Sequence, residues 1–198
     1  MKIFVIMGKV CSGKDTIVQT LMSTLKLSKV SNFEFIVPYT TRKPRDEKER
    51  NSGNYHFVTD AELNALISTD RFVEVRAYDM KGEGLRRFAT ILPELDTDKN
   101  YITIGTPEVV IALQRRHFDV RPIYLSVPEE VRLPRLLHRT SITNKKYDEA
   151  MRRFLADEDD FANIPKELRY KEIDAIDFMT QYNSVISYIA SEIEDGAE

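Results

Sequence analysis

Between Gly8 and Thr16 the chain reads GKVCSGKDT, directly after the apolar run IFVIM. Successive backbone N–H groups converge on an oxyanion only where side chains do not crowd them, and a following helix N-terminus adds favourable partial charge. Gly8 and Gly13 meet the first condition, and the helix-periodic run KDTIVQTLMSTLKL meets the second. The stretch fits the phosphate-loop pattern G-x-x-x-x-G-K-[ST], except that Asp15 stands where a magnesium-binding hydroxyl is expected. Lys14 is placed to reach terminal phosphates and to stabilise charge on a group in transfer. Three fates stay open for Asp15. It is a hard oxygen ligand for magnesium, or Thr16 offers the hydroxyl instead, or the carboxylate only satisfies free N–H groups in the first helical turn. Cys11, the single cysteine, reads as a small loop residue and excludes a disulfide framework or a multi-cysteine metal site.

A second cationic stretch is PYTTRKPRDEKERNSGNYHFV, from Pro38 to Val58. Arg42 and Arg45 flank Pro44, which keeps the chain extended between them, so both forks can address one phosphate group. Further on, VRLPRLLHRTSITNKKYDEAMRRF carries Arg135, Arg139, Arg152 and Arg153 on helix-forming sequence. Phosphoryl transfer asks mainly for positioning and charge stabilisation, and arginines that close over phosphates supply both. The competing reading is a solvated basic helix face paired with DEDD at Asp157 to Asp160.

The elements that must hold these groups follow from periodicity. IFVIM, YITIG and PIYLSV are apolar runs of strand length, and PEVVIALQRRHF between the last two has helical spacing with a proline suited to a first turn. Strand, helix, strand implies a parallel sheet. Between the first helix and Tyr101, the short runs NFEFIVPYTT, NYHFV and RFVEVRAY suggest a small antiparallel or mixed sheet inserted into the parallel one. From Pro128 the sequence turns helical and charged, Pro134 interrupts that pattern, and FMTQYNSVISYIASEIE reads as an amphipathic closing helix. A chain of 198 residues, 42% hydrophobic, suits one compact unit. Its net charge of −3 argues against a surface built for nucleic acid or anionic membrane. No apolar run approaches a membrane span, and a cytoplasmic protein is the expectation.

At this point the sequence resembles the guanylate kinase family. The resemblance rests on T-T-R-x-P-R (Thr40 to Arg45), Tyr55 in Y-H-F-V and Glu74 in F-V-E, downstream of the phosphate loop. It implies a P-loop NTPase fold of the α/β class: a three-layer α/β/α core with a parallel sheet, an inserted subdomain that binds a nucleoside monophosphate, and a helical lid. The implied boundaries make 1–198 a single domain, with core 1–33, 91–134 and 156–198, insertion 34–90 and lid 135–155. The implied reaction is transfer of the γ-phosphate of ATP, with Mg2+, to GMP or dGMP. Small-molecule nucleotides are the expected partners, without nucleic acid or membrane. Gly8, Ser12, Gly13, Lys14, Asp15 and Thr16 would bind ATP, with Asp15 or Thr16 at the metal. Lys14, Arg135, Arg139 and Arg153 would be catalytic. Arg42, Arg45 and Tyr55 would hold the acceptor's phosphate, and Glu74 would accept from the paired donors of guanine, which adenine does not offer on one edge. Departures fall on the acceptor and metal sites. Pro38 stands in place of the family's serine, Glu83 and Leu85 in K-G-E-G-L replace a tyrosine and a hydroxyl residue, and TIGTPE lacks the family's D-I-D acidic pair. These keep two alternatives open: the same architecture acting on another phosphorylated acceptor, either another nucleoside monophosphate or a sugar phosphate, and a non-catalytic binding module.

Overall fold

The computed structural model describes residues 1–27, 32–44, 46–80, 84–142, 147–162, 164–174 and 176–194. Arg45 and Glu83, and the side chain of Arg153, lie outside the described residues.

Strand β1 (Ile3–Met7) is fully buried along its length. Its alternating side chains feed two apolar layers. Ile3, Val5 and Met7 face a cluster with Val109, Val110 and Leu113 of a helix that follows the third core strand in sequence, while Phe4 and Ile6 face Ile17, Val18, Leu21, Val185 and Ile189. A strand apolar on both faces is what a parallel sheet covered by helices on each side requires. The chain continues as α1 (Lys14–Leu27), β2 (Phe33–Phe35), β3 (Tyr39–Thr40), α2 (Glu47–Arg50), β4 (His56–Phe57), α3 (Asp60–Ile67), β5 (Phe72–Met80) and β6 (Gly84–Ile91). Then come β7 (Asn100–Ile104), α4 (Pro107–Arg115), β8 (Val120–Ser126), α5 (Glu129–Ile142), α6 (Tyr147–Ala162), β9 (Lys171–Asp174) and α7 (Phe178–Glu194).

Five strands form the core sheet in the order β2-β7-β1-β8-β9, all parallel. This is the expected α/β architecture. The second sheet, β4-β3-β6-β5, is mixed: β3 pairs β4 in parallel and β6 antiparallel, and β5 and β6 form an antiparallel hairpin. One run lands elsewhere than expected. FEF, read with the inserted sheet, is β2 and pairs with β7 at the edge of the core sheet. Its three residues are half-buried, so their composition alone does not distinguish the two sheets. The inserted sheet has its own small core, Leu63 of α3 against Ala89 and Ile91 of β6. Helix α5 runs on through Pro134.

Candidate active site

The glycine loop from Gly8 to Gly13 joins β1 to α1. A Cβ on Gly8 would lie 2.6 Å from Ser12 Oγ, so the loop folds back on itself only with glycine at that position. Gly13 has φ 97°, and Cys11, at φ 62°, is held in the left-handed region that glycine usually occupies. Ser12 N–H donates to the Lys9 carbonyl at 3.1 Å and Ile17 N–H to the Gly13 carbonyl at 3.0 Å, closing the turn and opening the helix. The Ser12 hydroxyl is buried with no hydrogen-bond partner among the described residues. Lys14 Nζ lies over the loop, 3.4 Å from the Lys9 carbonyl.

Helix α6 leans acidic side chains onto this loop. Val10 N–H donates to Asp157 Oδ2, and Lys9 pairs with Glu158. Glu158 also meets Arg132 of α5, which is buried and reaches the Val127 carbonyl at 2.9 Å. Desolvation would raise the Glu158 pKa, but hydrogen bonds from Lys9 and Arg132 hold it below the usual carboxylate range. A loop built to hold an anion by its backbone therefore already holds a carboxylate.

On the mixed sheet, beside β3, Arg42 is 3% exposed. Its fork is taken by Glu49 of α2, with Nη1 to Oε2 at 3.0 Å and Nη2 to Oε1 at 2.9 Å. The guanidinium packs over the rings of Tyr55 at 5.7 Å and Phe57 at 5.5 Å. Thr40, one of the paired threonines before Arg42, is buried, and its hydroxyl accepts from Arg42 N–H.

A cleft open to solvent separates the two sheets and is lined by Gly8 and Lys14 on one side and by Tyr55 and Glu74 on the other. Glu74 reaches it because β5 carries a bulge between Phe72 and Glu74, so Val73 turns into the main core while Glu74, Arg76 and Tyr78 share the cleft face. Burial pushes the Glu74 carboxyl up to about 7, against the lowering pull of Arg76, with Glu108 and Asp160 adding to the rise. Arg76 Nε donates to Glu74 Oε1 at 3.0 Å and Nη1 to Asp160 Oδ2 at 2.7 Å, and Nη2 pairs with Glu108. The Thr106 hydroxyl also lines the cleft, buried and without a hydrogen-bond partner among the described residues.

Asp15 and Thr16 line a neighbouring hollow with Arg135 and Arg139. Arg135 donates to the carbonyls of Cys11 at 3.2 Å and Ile176 at 2.7 Å, which fixes α5 against the loop. No group of three or more His, Cys, Asp or Glu among the described residues could hold a metal ion unaided. Magnesium usually takes one or two protein oxygens together with water and substrate phosphates, and the Asp15 carboxylate and Thr16 hydroxyl fit that requirement. Leu85, in place of a hydroxyl residue, is 59% exposed.

Arg76, Asp157 and Asp160 were not among the expected site residues, whereas Glu108 lies in the TIGTPE stretch that stands in place of the family's acidic pair. For Arg76 a signal existed, since two residues beyond Glu74 on a strand is the same face. The carboxylates of α6 carried none, because DEDD is equally at home on a solvated helix.

A family model described as guanylate kinase matches residues 1–168. The chain is 32% identical over 129 residues to a guanylate kinase of Neisseria meningitidis serogroup A / serotype 4A (strain DSM 15465 / Z2491), covering 60% of each. To the guanylate kinase of Koribacter versatilis (strain Ellin345) it is 38% identical over 72 residues, 36% of this chain and 28% of that one. To human Protein PALS2 it is 27% identical over 112 residues, 57% of this chain and 20% of that one. The match thus spans less than two thirds of the length of each of these relatives. In fold, the crystal structure of guanylate kinase from Anaplasma phagocytophilum superposes with a TM-score of 0.62 at 15% identity, covering 96% of this chain and 85% of that one. No helix among the described residues is long and apolar enough to cross a membrane. The cleft between a phosphate loop and an inserted mixed sheet, together with the family match over most of the chain, makes this protein a member of the guanylate kinase family.

Proposed function

We propose that the chain transfers the γ-phosphoryl group of ATP to the phosphate of a nucleoside monophosphate, with GMP and dGMP as the first acceptors to consider. The observation that carries this reading is the single cleft lined by Lys14 and Gly8 opposite Tyr55 and Glu74. An acceptor phosphate oxygen attacks the γ-phosphorus, that O–P bond forms as the bond to the β-phosphate oxygen breaks, and ADP departs. Lys14 and the loop N–H groups hold the donor phosphates, and Arg135 and Arg139 carry charge on the lid side. Asp15 or Thr16 would hold Mg2+, which would offset charge on the phosphate oxygens. Arg153 is assigned with the lid arginines, and Arg42 and Arg45 with the acceptor phosphate. For that role Arg42 exchanges its Glu49 partner for the phosphate, with Tyr55 supporting the guanidinium from below.

A second reading, the same architecture acting on a different phosphorylated acceptor, is favoured by one observation: the Glu74 carboxylate is held by Arg76. ATP turnover measured with GMP, dGMP, AMP, CMP, UMP and no acceptor, with Lys14→Ala as the blank, separates the readings. Turnover stimulated by GMP or dGMP above the others supports the first. Stimulation by another acceptor alone replaces it with the second. Silence across the panel with no ATP binding sinks both and leaves a non-catalytic module.

A further inference from the structure

The cleft contains a cation that the assigned chemistry does not use. Arg76 lies on the same face of β5 as Glu74, and both side chains are largely withdrawn from water, 17% and 16% exposed. Its Nε holds Glu74 at 3.0 Å, Nη1 holds Asp160 at 2.7 Å and lies 3.4 Å from the Tyr78 hydroxyl, and Nη2 holds Glu108. One guanidinium therefore ties β5 to α4 and α6 and uses an oxygen of the carboxylate assigned to the acceptor's base.

A carboxylate reads guanine through two parallel donors, the ring N1–H and the exocyclic amine, and that requires both of its oxygens on one edge. Here Glu74 Oε1 already accepts from a charged donor, and a bond between two charged groups is stronger than the one a neutral guanine donor offers the same carboxylate. Guanine must therefore share Glu74 Oε1 with Arg76 or displace it, and a displaced Arg76 leaves Glu108 and Asp160 without their cation. Pro38, on the cleft wall, brings no hydroxyl to offset this. An acceptor whose base lacks paired donors on one edge makes no such demand on Glu74.

We propose that Arg76 is the specificity-determining residue of the acceptor site: by holding Glu74 it weakens the site for guanine relative to phosphorylated acceptors without paired donors on one edge. The inference rests on the kinase reading of the cleft, but it is read by binding and so fails or stands separately.

The experiment is calorimetric titration of GMP, AMP and CMP into the wild-type chain and Arg76→Ala. The expected result is GMP affinity at least about tenfold higher in the variant, the effect of losing one charge-assisted competitor, with AMP and CMP changed by much less. GMP affinity unchanged or lower in Arg76→Ala overturns the proposal, since Arg76 would then contact the base or merely support Glu74. Arg76→Ala leaves three carboxylates facing one another, so Arg76→Met combined with Asp160→Asn is titrated alongside and read by the same criteria should the single variant fail to fold. Turnover measured on the same preparations keeps the two ideas apart. A gain in GMP affinity without turnover by any acceptor retains the role of Arg76 and sinks the kinase reading. Turnover with unaltered GMP affinity does the reverse.

Discussion

Lys14 makes one long contact with its own loop, 3.4 Å to the Lys9 carbonyl, so its removal takes little from the folded state. Its assigned work lies in the charge of the transferring group. Lys14→Ala is therefore expected to lower turnover by about 10²–10³-fold, the scale of one lost electrostatic stabiliser, while thermal unfolding stays near that of the wild type. A loss of stability comparable to that of a core truncation would instead make the lysine structural. Glu74 behaves in the opposite way, because its environment acts on folding. Its carboxyl is pushed up to about 7 by burial, in the company of Arg76 and Tyr78 on β5, Glu108 on α4 and Asp160 on α6. A folded-state pKa above the unfolded one means the native chain binds the extra proton, so this contribution is fully present below the usual carboxylate pKa and is lost as pH rises through about 7. Glu74→Gln should therefore gain stability relative to the wild type between pH 5 and pH 8, on the order of 1–3 kcal/mol. Urea unfolding at the two pH values measures it, and parallel pH dependence in both proteins would refute it.

At the scale of elements, α6 is the part whose position matters most for the donor site. Its Phe154 packs with Leu136 of α5 and Val10 of the loop, which brings Asp157 to the Val10 N–H. An incoming phosphate competes with that carboxylate for the same donor. Asp157→Ala should tighten binding of a non-hydrolysable ATP analogue by about 3–10-fold, the net worth of one displaced hydrogen bond. Asp159→Ala, at an exposed position two residues on, is the control. Equal affinity in both variants would mean that α6 moves away at no cost. The inserted sheet has a separate vulnerability in Leu63, which is buried against Ala89 and Ile91. Leu63→Ala should cost about 2–5 kcal/mol of stability and weaken acceptor binding more than binding of the ATP analogue, because the donor loop belongs to a different apolar cluster.

For the molecule as a whole, two sheets of different grammar face one cleft. The core sheet presents the donor loop at the carboxyl end of β1, where ligands of open parallel sheets bind, and the mixed sheet presents β5 across from it. Arg76 of β5 spans the gap to Glu108 of α4 and Asp160 of α6. The two sides of the cleft are thus tied by ion pairs, and substrates must compete with them as well as with water.

What the sequence determined by itself was local. The strand, loop and helix from Ile3 to Leu27 follow from consecutive residues, since glycine placement, the lysine and the helical period need no distant partner. Tyr55 and Glu74 were legible from the order of short motifs, and the parallel core from the alternation of strands and helices. The pairing of Arg42 with Glu49, seven residues on in the helix that Asp46 caps, emerged only from the structure. The tertiary structure alone decided that FEF joins the core sheet, that a bulge aims Glu74 into the cleft, and that Arg76 and Asp157 occupy the groups assigned to substrates. Each of these depends on residues brought together from separate elements. Arg76 meets Asp160 across 84 positions of chain, and Val10 meets Asp157 across 147. A charged side chain has the same local preferences whether it faces water or a partner of opposite sign, so its pattern in sequence cannot distinguish the two, and packing alone settles which one it meets.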